Sequence, residues 1–417
     1  MIKKALLFLL IQCLIFQGFS QVEEINPPPY IKTITFKSRS SAQGQLPILR
    51  LGEEFYLEFD VLTTEEPDFY YTIEHYNYDW TKSNLVKMEY MQGFDNFRIV
   101  DYQNSFNAFQ LYSHYRLPIP NRQTRKLTKT GNYLISIYNE DNELMFTRKF
   151  MIYKDLLGVG VSVKRLRDVR FIDSKQSVDI VINSGGMNLN NPKETVKVLI
   201  IQNNNLHTAI KNVKPQYTIG KELIYRYTNE TSFWGSNEFR FFENKDVRAA
   251  NVGVQFIDLK DIYHNYLFAA GPRYNQPYTY NPDINGNFQI TAIDADNPDI
   301  EADYTMIHFS LQYPEFNDGS EIYVYGNYNN YALDEENRLV FNASNGLYET
   351  AFKLKQGFYN YKYVVVDADG NLDEGRISGD FWQTENNYKV LVYYRDLGAR
   401  FDQLIGLGEA TSVDISN

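Results

Sequence analysis

The chain has 417 residues, 43% of them hydrophobic and 22% charged, a balance that excludes a disordered chain and a length that suits two or three domains. Its formal net charge of −11 sets aside nucleic acid and anionic lipid headgroups as partners, because both would repel it. Thirty-four Tyr and 28 Phe favour strands, where aromatic side chains pack across a pleated surface.

The first twenty residues read as a signal peptide. Lys3 and Lys4 precede an apolar run from Ala5 to Phe16, and Gly18-Phe19-Ser20 supplies small residues for cleavage after Ser20. The run is too short for a spanning helix, and no later stretch reaches the roughly eighteen consecutive apolar residues that one requires. The mature chain is therefore expected to be exported and soluble, with no direct membrane insertion. The only cysteine, Cys13, lies inside the signal, behind a Gln12 too bulky for lipoprotein cleavage. Without thiols the mature chain fits a bacterial envelope protein that relies on hydrophobic cores, since a secreted eukaryotic chain of this kind would usually carry disulfides. Loss of the signal leaves 39 basic against 52 acidic residues, a net −13.

From Gln21 a Pro-rich lead enters a first module containing LGEEFYLEFDVL and DFYYTIEHYNYDW. It closes on a hairpin in which Tyr133, Ile135 and Ile137 share one face and Asn139 to Asn142 make the turn. A first boundary falls near residue 155. The middle segment continues as strands, SVDIVIN, TVKVLIIQ and EFRFFE, separated by turn residues. Acidic Asp294 to Tyr304 reads as a solvated linker, which places a second boundary near 298. The last segment alternates aromatic and β-branched residues (EIYVY, GFYNYKYVVV, YKVLVYY), with Asp-Gly at 369–370 in a hairpin turn. No segment carries a sustained apolar stripe of period 3.6. The predicted architecture is all-β: tandem immunoglobulin-like or early-set β-sandwiches over 21–155, 156–297 and 298–417, behind a signal peptide at 1–20.

No catalytic constellation is present. There is no GxSxG elbow or P-loop, and no cysteine nucleophile remains. The five histidines, at 75, 114, 207, 264 and 308, lack local metal-ligand spacing, so neither metal nor cofactor is expected, and the chain is not expected to be an enzyme. Asp367 to Asn371 does not keep the Gly and Glu positions of a calcium loop. The remaining features are aromatic side chains in loops: Trp234 after TNETSF, and Tyr274 and Tyr278 in the proline-broken GPRYNQPYTYNPD. Exposed aromatics beside rigid prolines suit protein recognition, and these three are the candidate partner-binding residues. The alternative is that they cap the sandwich ends as core residues.

Two resemblances follow from longer motifs. YGNYNNY (325–331), GLYETAFKLKQG (346–357) and FYNYKYVV (358–365) resemble the early-set sandwich of glycogen-binding modules. That likeness implies, as an alternative function, a carbohydrate-binding envelope protein. Tyr331 and Tyr348 stand where those modules have tryptophan, so glycan binding is not expected. YYTIEHYNYDWTKSNL, EYMQGF, YSHYRLPIPN, KTGNYLISIY, NEFRFFE and TENNYKVLVYYRDLGARFDQLIG resemble the plug protein family of the type IX secretion system of Bacteroidetes. This resemblance implies a periplasmic, non-enzymatic protein. It would dock on the periplasmic opening of the giant outer-membrane barrel translocon and plug the pore in the absence of substrate.

Overall fold

Period-two patterning carries through into structure: the computed structural model is 48% strand and 6% helix, and it describes residues 21–38 and 46–415. The expected signal peptide and its cleavage site lie outside the described residues. The helical turns among the named elements are short, as in Lys87–Tyr90 and Pro298–Glu301.

Residues 31–153 build the first sandwich from two sheets. One runs Ile31–Ser38, Phe55–Val61, Ser113–Ile119, Asp101–Asn104; the other runs Ile48–Arg50, Leu144–Tyr153, Gly131–Asn139, Phe69–Tyr76, Phe97–Arg98. Because side chains alternate along a strand, Phe55, Leu57, Phe59 and Val61 face inward against Tyr133, Ile135, Ile137, Phe146 and Phe150, all at most 1% exposed. The same alternation sends Glu58 and Asp60 to the outer face, yet both are buried. A second body must cover them, and it does.

The second sandwich corrects the expected boundary at 298. Its first sheet is local: Gly158–Arg165, Lys175–Asn183, Glu222–Tyr225 and Tyr217–Ile219, with Ser232–Trp234 beside the second of these. Its other sheet runs Asn205–Val213, Val196–Gln202, Asn387–Tyr394, Gln403–Thr411. The last two strands of the chain therefore belong with the middle segment, pairing antiparallel from Val196↔Tyr394 to Gln202↔Tyr388. Tyr388, Val390 and Val392 fill the same core as Val178, Ile180, Val198 and Ile200.

The third sandwich is inserted between these two parts. It is a ten-stranded arrangement around Gly357–Val366, whose first half pairs with Arg240–Glu243 and Phe288–Ile290 and whose second half pairs with Glu321–Tyr325. Strands at 240–243, 254–259, 263–267 and 288–290 thus join the last module, not the middle one. The Asp-Gly turn closes as expected: Gly370 N donates to Asp367 O at 2.9 Å, and Val366 pairs with Leu372.

Two seams lock the three bodies. Strands whose apolar residues run on both faces are buried on both. In Val196–Gln202, Val198 and Ile200 enter the second core while Leu199 and Ile201 meet Tyr76, Tyr78, Leu134 and Met151 of the first sandwich, together with Leu391, Tyr393 and Leu404. Tyr78 and Tyr393 cross this seam, donating to Val198 O at 3.0 Å and Asn132 Oδ1 at 2.6 Å.

The other seam joins the first and third sandwiches and is charged. Asp60 (0% exposed) accepts from Lys355 Nζ (1% exposed) at 2.7 Å, from Tyr304 Oη at 2.6 Å, and pairs with His114 Nδ1 at 2.7 Å. Burial raises the Asp60 pKa, but Lys355 and His114 together hold it below the usual carboxylate value. The expected solvated linker is part of this seam. Ile300 O accepts from Phe106 N, Asp303 Oδ1 from Phe109 N, and Ala302 O from Tyr112 Oη.

Candidate docking surface

The chain enters the inserted sandwich at 235–239 and leaves it at 375–386, and the two crossings lie side by side. Phe381 N donates to Ser236 O at 2.8 Å, and Asn386 Nδ2 donates to Gly235 O at 2.9 Å. Fully buried Gln176 donates to the carbonyls of Trp382 and Thr384. Position 235 must be glycine for this approach, since a Cβ there would sit 2.1 Å from Phe381 O.

The three sequence-predicted aromatics all flank this junction. Trp234 is 48% exposed; its ring meets Phe171 edge-on at 5.5 Å and takes Lys175 Nζ over its face at 4.2 Å. Tyr274 is 53% exposed, on a loop whose Arg273 N donates to Ile377 O at 2.8 Å. Tyr278, expected to be exposed, is half-buried: its hydroxyl donates to Glu238 and its ring lies 5.7 Å from Phe381. It anchors the loop that presents Tyr274. Burial raises the pKa of Glu238 and pushes that of Asp283, which caps Phe239 N, up to about 7.

Trp234 also forms one wall of a cleft of about 900 Å³ between the second and third sandwiches, whose far side carries Asp373, Glu374 and Asp380. Burial pushes Asp380 up to about 6. The positions that would stack on a sugar in a glycogen-binding module are closed. Tyr331 is 4% exposed and donates to Asn203 O of the second sandwich at 3.0 Å; Tyr348 is 6% exposed against Phe316 and Phe341.

A second apolar surface escaped sequence reasoning. Met88, Phe94 and Val100 of the first sandwich are 86%, 70% and 75% exposed. The Lys87 to Asp95 ion pair, 2.6 Å, ties together the ends of the 87–95 segment, a helical turn followed by the strand Met91–Gly93. EYMQGF (89–94) was visible as a motif, but its Met91 is core at 1% exposure while its Phe94 is exposed, and no periodicity separated the two or marked Met88 just before them.

Among the described residues no helix is long and apolar enough to cross a membrane. None of the curated proteins matches the chain. A hypothetical protein from Parabacteroides merdae, known from its crystal structure, is 32% identical, with a TM-score of 0.89 over 94% of this chain and 100% of its own. Residues 31–154 match the family model described as "Type 9 secretion system plug protein 1st domain", which coincides with the first sandwich. With that sandwich in place at the head of a three-sandwich chain, the protein belongs to the plug protein family of the type IX secretion system.

Proposed function

We propose that the protein is a periplasmic, non-enzymatic accessory of type IX secretion that docks on the periplasmic opening of the outer-membrane translocon and closes its pore when no substrate is engaged. The observation that supports this most is the interlocking of three sandwiches into one body. The inserted third sandwich, the apolar seam around Tyr78 and Tyr393, and the buried Asp60 to Lys355 pair resist relative movement. A plug must cover a wide lumen without yielding, and one rigid body loses less entropy on docking than hinged domains would.

Trp234 and Tyr274 serve as anchors, with Tyr278 fixing the loop behind Tyr274. Aromatic rings of this exposure bury much area with few rotamers to lose. The carbohydrate-binding alternative loses its basis, because Tyr331 and Tyr348 are spent on packing. Affinity purification of the tagged protein from detergent-solubilised envelope tests the reading. A very large outer-membrane protein should co-purify, and the Trp234→Ala, Tyr274→Ala double variant should recover much less of it. Recovery of soluble glycan with no membrane protein would sink the proposal.

A further inference from the structure

We propose that Glu58, His114 and Asp299 form a zinc site that clamps the first sandwich to the third. One ligand atom from each, a ring nitrogen of His114 and a carboxylate oxygen of Glu58 and Asp299, lies within 4.8 Å of the other two. The three residues line one cavity of about 390 Å³ at the seam. Two strands of the first sandwich supply Glu58 and His114, and the segment leading into Tyr304–Leu311 supplies Asp299.

The support behind the ligands is that of a metal site. His114 Nδ1 lies 2.7 Å from Asp60 Oδ1. Lys355 Nζ sits 2.7 Å from the other oxygen of the same carboxylate, so Asp60 accepts from Nδ1–H and Nε2 is the ring nitrogen that Asp60 does not occupy. A carboxylate behind the imidazole fixes the tautomer and raises the basicity of the other nitrogen. The place between the carboxylates already suits a cation. Lys37 Nζ lies 2.6 Å from Glu58 Oε2 and 3.4 Å from Asp299 Oδ1. Thr35 Oγ1 at 3.4 Å and Arg116 Nε at 3.3 Å complete the neighbours of Glu58. The Lys37 side chain is 34% exposed, so its ammonium can swing into solvent when a divalent ion takes its place. One imidazole and two carboxylates, with cavity space for a water at the fourth position, suit zinc; calcium prefers oxygen ligands throughout. Sequence reasoning expected no metal because the ligands come from strands and a turn far apart in the chain, which no local spacing reveals.

The test uses the mature chain, stripped with EDTA and dialysed against zinc chloride, with bound metal measured by inductively coupled plasma mass spectrometry and melting followed with and without zinc. About one equivalent should bind and the melting temperature should rise. Asp299→Asn, at a half-exposed position, should melt like wild type without metal, lose at least about tenfold in zinc affinity, and show no zinc-dependent rise. His114→Gln should lose affinity similarly, and Lys37→Met should gain it by removing the competing ammonium. Absence of bound zinc, binding unchanged in Asp299→Asn, or equal affinity for calcium would overturn the proposal.

Discussion

Replacing Lys355 with Met isolates the charged seam. Lys355 Nζ donates to Asp60 Oδ2 and to Asp299 O, each at 2.7 Å, and lies 4.2 Å from the Tyr112 ring, with both charged groups at most 1% exposed. Met fills nearly the same volume, so no large cavity opens. Asp60 is left buried with only His114 and Tyr304 as partners. A charge-assisted hydrogen bond contributes about 1.5–3 kcal/mol, and the unpaired buried carboxylate adds its desolvation, so the variant should lose about 3–5 kcal/mol. Asp60→Asn combined with Lys355→Met removes both charges and should recover most of that loss. Urea unfolding followed by near-ultraviolet dichroism and by fluorescence measures both variants, with coincident transitions required before a single free energy is assigned. A loss below about 1 kcal/mol for Lys355→Met, or a double variant no better than the single, would refute the claim that this pair locks the seam.

Three further outcomes follow from the same geometry. His75, buried between Tyr133 and Phe401, has its pKa lowered by burial to about 4. The unfolded chain therefore binds a proton first as pH falls below about 6.5, and acidification from pH 7.5 to 4.5 should cost about 2.5 kcal/mol that a His75→Asn variant does not lose; equal urea midpoint shifts in both would contradict this. Gly235→Ala, with its Cβ against Phe381 O, should destabilise by about 1–3 kcal/mol or more in the same assay. A fragment of residues 298–417 should show no cooperative melting, because its last two strands lack their partner Val196–Gln202, whereas residues 236–386 should melt cooperatively by calorimetry.

Strand content and turn chemistry were legible because they are local: period-two aromatics, and Asp-Gly at 369–370. The boundary at 298 was not, because strand pairing is long-range and Asn387–Tyr394 carries no mark of preferring Val196–Gln202 over its sequence neighbours. One signal was available. VKVLIIQ and YKVLVYY are apolar on both faces, unlike a strand with one solvated side, and these are the strands that face a core on one side and the seam on the other. Glu58 and Asp60 alternate with core residues in a pattern indistinguishable from a solvated face, yet Lys37 and Arg116 of the same sandwich pair with Glu58, and Lys355 and Tyr304 of the third sandwich reach Asp60. The aromatic candidates were chosen for their loop setting, and the half-burial of Tyr278 reflects a hydroxyl partner, Glu238, that sequence spacing does not reveal.

The central claim is that this body closes a pore, and outer-membrane permeability tests it most directly. Uptake of a large polar dye or antibiotic is compared in strains lacking the protein, with and without the translocon barrel. The account predicts that deletion raises uptake only where the barrel is present and that re-expression of the intact chain restores exclusion. Equal uptake with and without the barrel would contradict it.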